Sequence, residues 1–439
     1  MAGCEAALQL AARGAAVELW EQRLAPAPPD GWTPAHTTGL LAELVCSNSF
    51  KSSDPARAQG LLKLELTHLS CHLLRIAHSC SIPGGAALTV DRQRFAETVT
   101  AEIQSHPLIT LHASQFDNLP ALLESGRIGI VAAGPLASGS LWQQLGALLG
   151  SGAGYFYDAT APVIEAGSVD MGLVFAQSRY DKGGGDDYIN CPLDAPQYAA
   201  FRAALLAAEL CPLHGGDELK LFEGCLPIEE LARRGVDAMR FGPLKPKGLT
   251  DPRTGRAPYA AVQLRWEDAL KQALSLVGFQ TRLKPSAQQH VWRLIPGLTG
   301  VRLLRFGRMH RNSYLDAPRV LQPTLQLKAA PRVFIAGQLT GLEGYVSAMA
   351  TGLWAGLNAA RLAADAEPLV APEGSCLGAM LRFMSNPAQA DYAPTAFQYG
   401  MLTWLPEGLR KPARDALVHQ RAQAAWDEMR QLLDARPPA

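Results

Sequence analysis

Two cysteines stand in contexts that suit bond-forming chemistry. Cys225 lies in FEGCLPIEE, between Gly224 and a helix expected to start at Pro227. A thiol beside a helix N-terminus has a lowered pKa and is more reactive. Cys46 lies in ELVCSNS, flanked by Ser47, Asn48 and Ser49. Taken singly, a cysteine is more commonly a small buried hydrophobe. A third group, ELTHLSCHLLRIAHSC, holds His68, Cys71, His72, His78 and Cys80. On one continuous helix, residues 68, 71 and 72 would share a face, which resembles metal-ligand spacing. No closed Cys/His set with zinc-finger spacing exists, so the reading is a mixed helix surface and no metal is expected.

Reactive thiols need elements that bring a substrate or cofactor to them, and the two ends of the chain supply such elements. The opening MAGCEAALQLAARGAAVELWE reads as a helix over 2–14 and a strand over 15–21 that ends in an acid. In a dinucleotide-binding unit the third glycine lets helix and strand approach closely, and the acid after the second strand binds ribose hydroxyls. Gly3 stands where that glycine belongs, and Glu21 follows at close to the usual spacing of about 20 residues. Near the other end, FIAGQLTGLEGYVSAMATG reads as a buried strand running into Gly337. Gly341 and Gly344 follow before a small-residue helix, with Gln338 and Tyr345 in the same turn. Backbone amides at such a helix N-terminus suit a pyrophosphate or the polar edge of a flavin. Gly134 closes the strand IGIVAAG in a similar way. Each half alone is also explained as a tight turn with close helix packing. Together they favour a flavoprotein of the two-dinucleotide-fold type.

The rest of the chain bounds this reading. Its 439 residues suggest two or three domains, and 48% hydrophobic content is ample for a large core. Lys+Arg and Asp+Glu balance at 40 each. That argues against a bulk electrostatic DNA binder and leaves room for a local RNA groove. The eight cysteines form no C-x-x-C pair, which points to a reducing, cytosolic compartment rather than a disulfide scaffold. No run of about 18 apolar residues predicts a membrane span. The apolar N-terminus carries Glu5 and Arg13 and reads as an amphipathic helix rather than a secretory signal. Residues 24–36 form a proline-rich loop, and 56–78 read as helical. Asp91 is expected to cap one helix and Ser138 another. Between about 155 and 300 polar loops alternate with short elements, after which the first texture returns. The expected fold is therefore α/β, a discontinuous Rossmann-like FAD domain of the two-dinucleotide type with an inserted α+β domain. Its parts are residues 1–165, an insert over 166–299 that binds the substrate, and 300–439 with C-terminal helices.

The motifs AELVCSNSFKS, SIPGGAALTVDRQRFA, YFYDATAPVIE, SRYDKG, NCPL, FEGCLPIEELARRG, FGPLKPKGL, VGFQTRLK, LIPGL, MHRNSYL and FIAGQLTGLEGYVSAMATGL occur in that order. In this set the chain resembles the folate- and FAD-dependent tRNA (uracil-5-)-methyltransferases, the TrmFO family, from Ala2 to about residue 410. Members of that family begin with a strand and a full G-x-G-x-x-G. Only the last glycine, Gly3, stands here, so a mis-assigned start codon or a truncation is expected.

The resemblance implies methylation of tRNA at C5 of the uridine at position 54 in the T loop. The carbon would come from methylenetetrahydrofolate, carried by reduced FAD, with NAD(P)H reducing the flavin. Uracil C5 is a poor nucleophile until a thiolate adds at C6, so such an enzyme needs an activated cysteine and an acid/base. By family match Cys225 is the nucleophile on C6, and Cys46 a supporting proton-transfer group or transient flavin partner. Gly3, Glu21, Gly134, Gly337, Gln338, Gly341, Gly344 and Tyr345 would contact the cofactor.

Basic residues gather at Lys245 and Lys247, at Arg282 and Lys284, and at Arg308, His310 and Arg311. Such clusters are usually solvated surface. In a neutral protein they also supply what a phosphate-tracking groove needs, so several are expected to line the tRNA path or bind folate. The glycine-rich KGGGDD lacks the ending of a P-loop and reads as a mobile substrate loop. Three other readings stay open. One is a flavin enzyme acting on the tRNA wobble uridine. The second is a small-molecule flavin oxidoreductase, and the third an inactive, flavin-free RNA-binding remnant.

Overall fold

A computed structural model describes the chain except residues 27–32, 34, 151–152, 214–217, 222–224, 390–391 and 435–439. Helix Ala2–Ala11 leads through a turn into strand Val17–Trp20, each shorter than the sequence suggests. That strand pairs in parallel with Ile109–His112. A second parallel pair joins Gly129–Val131 to Ala330–Ile335. Strand Ala330–Ile335 runs into Gly337 and then into the long helix Tyr345–Ala363. These parallel strand–helix units are the Rossmann-like layer expected from the sequence.

The two helices pack backbone to backbone, and glycine makes this possible. A Cβ at Gly352 would lie 2.3 Å from the Ala2 carbonyl oxygen, and one at Gly356 would lie 2.7 Å from that of Ala6. Any larger residue would force the helices apart. The seam sets the start of helix Ala2–Ala11 beside Gly352, about two turns into helix Tyr345–Ala363.

Buried carboxylates tie neighbouring helices to this seam. Glu5, fully buried, accepts bonds from the backbone N–H of His72 (3.2 Å) and Leu73 (2.8 Å). Glu65 does the same for Cys376 and Leu377, both at 2.8 Å, and also accepts from the Trp426 indole. Each carboxylate thus caps a helix other than its own, satisfying donors that a helix N-terminus leaves open.

The expected helix over 56–78 is in fact two, Ala58–His68 and His72–Ser79, broken where Ser70 takes a φ of +57°. His68 turns to stack on Trp426 with ring centroids 4.6 Å apart. The common face of His68, Cys71 and His72 on one helix therefore does not form. Asp91 and Ser138 cap helices Arg92–Ser105 and Gly139–Leu149, as expected.

Much of the span read from the sequence as an insert builds a six-stranded antiparallel sheet. Its order is Leu303–Arg305, Val163–Glu165, Ala273–Leu276, Ala260–Trp266, Tyr188–Leu193, Phe175–Ala176. The strands at 163–165 and 303–305 lie just outside the span expected for it. Side chains alternate with the period of two that a strand imposes. Ala260, Val262 and Leu264 enter an apolar core with Phe201, Phe279 and Trp292. Gln263 and Arg265 are buried polar groups. Gln263 donates to Asn190, while Arg265 reaches across to Asn48 at 2.9 Å. A separate antiparallel ladder, Ala153–Ala159 with Met309–Leu315, joins the chain entering the insert to the chain leaving it.

Candidate active site

Segments distant in sequence meet around two thiols. The loop carrying Cys46 has no regular structure, so its polar neighbours hold it. The Tyr345 hydroxyl accepts from the N–H of Cys46 (3.1 Å) and of Ser47 (3.3 Å). Asn48 donates to the Val90 and Trp266 carbonyls at 2.9 Å each and accepts from Arg265. Cys225 is fixed from the other side by the start of helix Ile228–Arg234, where the Ile228 N–H donates to the Gln280 carbonyl at 2.7 Å.

The Cys46 and Cys225 thiols face each other, close enough to set each other's proton affinity. The Gln280 side chain also bonds Cys46, and the Cys46 sulfur lies 3.8 Å from the Ala159 carbonyl. Asp158 lies beside Cys225 and accepts from the Ala159 N–H at 2.8 Å. Donation from Cys225 draws the Cys46 pKa down, helped by Gln280 and by the charge of Arg92. The same bond pushes the Cys225 thiol well above its ordinary value, and burial, Asp158 and Glu343 push in the same direction. This corrects the expectation that a helix N-terminus activates Cys225. The helix has seven residues with Glu229 and Glu230 in its first turn, which offset its positive end. Of the two thiols, Cys46 therefore gives up its proton the more readily.

Charged groups flank the pair on two sides. On one side Arg92 donates to Glu267 at 2.7 Å, and Arg265 and Arg305 also act on that carboxylate. Burial opposes its ionisation, yet these cations hold Glu267 below the usual range. Arg305 has buried Nε and Nη2 atoms without a hydrogen-bond partner among the described residues. Burial, then the like charge of Arg92, pushes its pKa down to about 10. On the other side lie Asp158, His310 and Glu343. Burial raises the pKa of Asp158 and, more strongly, of Glu343. Gln338 donates to Glu343.

Beside the thiols is an anion cradle. Neither helix Ala2–Ala11 nor helix Tyr345–Ala363 has a side-chain cap, so amides of both first turns remain available. Gly344 has a φ of +97°, and a Cβ there would meet nothing within 4 Å. Gly134 is equally open, with a φ of +73°. Gly337, at φ +76°, lies against Ala2, and Gly3 lies against Ala132. Gly344 and Gly134 therefore face open space, whereas Gly337 and Gly3 allow close packing beside it, an arrangement that suits the pyrophosphate of a dinucleotide. Gly341 is required for another reason, since the Tyr392 ring fills the place of its side chain. The Glu21 carboxylate is engaged by Arg23 at 3.0 Å, and Arg23 also reaches Glu43 at 3.4 Å.

The basic clusters fall in three places. Lys247 is exposed and Lys245 half-buried, in a segment whose Gly248 packs on Tyr180. Arg282 donates its backbone N–H to Glu229, and Lys284 pairs with Glu209. Arg308 is exposed, whereas His310 is buried opposite Asp158, in the interior rather than on a phosphate-tracking surface. Arg311 lies over the Tyr155 ring at 4.1 Å, and Lys220 approaches the same ring at 5.2 Å. Sequence reasoning missed Asp158, Glu343, Arg92, Arg265 and Glu267. A readable signal existed for Arg265, a charge inside the apolar strand AAVQLRW.

A parallel strand–helix layer, an open anion cradle and a buried thiol pair define a nucleotide-binding enzyme of the GidA type. The family model described as Glucose inhibited division protein A matches residues 1–367, and the chain belongs to this family. Within it, the chain falls among proteins named methylenetetrahydrofolate--tRNA-(uracil-5-)-methyltransferase TrmFO. It is 46% identical to the one from Moorella thermoacetica, over 97% of this chain and 96% of that protein. To that of Solibacter usitatus it is 48% identical, over 98% and 97%. To that of Enterococcus faecalis it is 43% identical, over 99% and 98%. Among solved structures, Aquifex aeolicus GidA superposes with a TM-score of 0.65 at 16% identity. That match covers 98% of this chain and 73% of the other and supports the fold. Among the described residues, no helix is long and apolar enough to cross a membrane.

Proposed function

We propose that this protein methylates C5 of a tRNA uridine, at position 54 of the T loop, with methylenetetrahydrofolate as the carbon source. The observation that carries this reading is the pair of facing thiols, Cys46 and Cys225, in a chain so similar to the TrmFO relatives. FAD, when bound, would supply electrons from NAD(P)H and carry the one-carbon unit. The amides around Gly3, Gly337, Gly344 and Tyr345 would hold its pyrophosphate. Gly134 and Gln338 would border it, and Glu21 would serve its ribose.

Cys225 adds to uracil C6, which makes C5 enolate-like and able to attack carbon. Cys46, the more acidic thiol, takes up a proton in exchange, acting as the acid/base partner. The buried guanidinium of Arg305 stabilises negative charge near Cys46. A uridine must leave its stack to reach such a site. Arg311 over Tyr155, with Lys220 beside it, forms a basic and aromatic surface suited to an unstacked T loop. Lys245, Lys247, Arg282, Lys284 and Arg308 extend the positive surface for phosphates or the folate tail. The eight cysteines, all free thiols, accord with a reducing cytoplasm.

The test is reconstitution. Protein mixed with FAD should keep flavin absorption through gel filtration. With NAD(P)H and methylenetetrahydrofolate it should then methylate a tRNA transcript and spare one with cytidine at position 54. Equal methylation with S-adenosylmethionine, or of both transcripts, would contradict the reading.

A further inference from the structure

We propose that Tyr180, with Lys182, Lys245 and Lys247, forms a platform on which an unpaired RNA base next to the target uridine stacks. This rests on the RNA substrate proposed above and concerns the strand beyond the reacting base. Tyr180 lies in SRYDKGGGDD, where the backbone turns left-handed: its φ is +59°, and that of Asp181 is +51°. In the same loop glycine fills such positions, Gly183 at +70° and Gly185 at +89°. A bulky side chain there is strained, because its Cβ crowds the neighbouring carbonyl. The Tyr180 side chain is nonetheless 53% exposed. One side of its ring packs on Gly248, where a Cβ would lie 2.8 Å from the ring. Backbone strain kept under a surface ring points to a role outside the fold.

The glycine-rich stretch, expected to be mobile, is held in place. Asp187 accepts from the N–H of Gly85 at 2.7 Å and of Gly184 at 3.2 Å. Arg179 donates to the carbonyls of Pro243 and Lys245, at 3.0 Å each. The Tyr180 N–H donates to the Gly248 carbonyl at 2.9 Å. Gln177 accepts from the Thr250 N–H at 2.8 Å and donates to Asp181 at 3.0 Å. These bonds fix residues 177–187 beside residues 243–250, and so gather Lys182, Lys245 and Lys247 near Tyr180. None of the three lysines has an ion pair or a side-chain hydrogen bond among the described residues. Of the acids in the loop, Asp181 is engaged by Gln177 and Asp187 by backbone amides, which leaves Asp186. Positive charge is therefore in excess around an exposed ring. Phe241, 83% exposed, adds a second ring at the start of the held segment. Aromatic faces for bases, with cations for phosphates, are what an unpaired nucleic-acid strand requires.

The platform is tied to the site. Tyr188, where the loop rejoins the sheet, pairs with Arg265 on the neighbouring strand. Arg265 in turn donates to the Ser47 hydroxyl at 3.3 Å, one residue from Cys46. The loop thus leaves the sheet at the row that touches the thiol loop.

The experiment measures binding of a fluorescein-labelled T-loop hairpin RNA to the full chain by anisotropy, over a range of salt. Tyr180→Gly suits the left-handed backbone. Its affinity should fall about 10-fold, within the usual loss for one stacked base, with the salt dependence unchanged. Tyr180→Phe should bind as the wild type does. Lys247→Ala should instead reduce the slope of log affinity against log salt by about 0.7. A hairpin with 5-iodouridine just after position 54 should crosslink, on irradiation, to the peptide carrying Tyr180. Equal binding by the wild type and Tyr180→Gly, or crosslinks that leave that peptide unmarked, would overturn the platform alone. If circular dichroism shows that Tyr180→Gly fails to fold, the wild-type crosslink map decides. A wild type that binds neither the hairpin nor single-stranded RNA would overturn the platform together with the substrate reading.

Discussion

Cys46 and Cys225 face each other, and the charge of Asp158 acts on both thiols while that of Arg92 acts on Cys46. A hydrogen bond from Cys225, with Gln280 and Arg92, lowers the proton affinity of Cys46 against burial and Asp158, while the Cys46 partner, burial and Asp158 all raise that of Cys225. In the resting protein iodoacetamide should therefore label Cys46 before Cys225, as read by peptide mass mapping. Arg92→Met removes a cation that favours the thiolate, so the labelling profile of Cys46 should move to higher pH. Earlier labelling of Cys225 would contradict this ordering.

The glycine seam between helices Ala2–Ala11 and Tyr345–Ala363 sets the geometry of the anion cradle. Gly352→Val places atoms where the Ala2 carbonyl already sits. Overpacking of this kind costs roughly 1–3 kcal/mol. Thermal unfolding should show the loss, and FAD binding by absorbance titration should weaken with it. A variant with native stability and native FAD affinity would mean that the seam does not set the cradle.

Glu65 satisfies two backbone amides and one indole in the interior. Glu65→Ala leaves all three donors without a partner, each worth about 1–3 kcal/mol when buried. Denaturant unfolding should report a loss of several kcal/mol with the slope unchanged. A loss under about 1 kcal/mol would mean that water replaces the carboxylate.

Arg305 carries two buried donor atoms without partners. Replacing a buried, poorly compensated charge by an apolar side chain of similar volume is often stabilising by about 1–4 kcal/mol. Arg305→Met should therefore raise the melting temperature of the protein alone and lower methyl transfer. A lower melting temperature would show that the charge is already compensated.

Much of the frame was legible in the sequence, because local chemistry decides it. The strand entering Gly337, the caps Asp91 and Ser138, and the helix beginning at Ala2 depend on spacing and on residues beside them. The break at Ser70 was not legible, since neither Gly nor Pro marks it. There, the buried carboxylate of Glu5 caps a new helix from a distant segment. The two cysteines could be picked out from their neighbours, but their order of acidity could not. That order comes from Arg92, Asp158 and Glu343, which only tertiary packing brings near. His310 reads as basic surface beside Arg308 and Arg311, yet strand alternation turns it inward to Asp158.

The most direct measurement is isotope tracing. The protein, FAD and NAD(P)H would be incubated with an unmodified tRNA transcript and methylenetetrahydrofolate labelled with ¹³C in its methylene carbon, and the digested nucleosides read by mass spectrometry. The account predicts 5-methyluridine carrying the label, from position 54, and none with Cys225→Ala. Unlabelled 5-methyluridine, a modified wobble uridine, or full labelling with Cys225→Ala would contradict it.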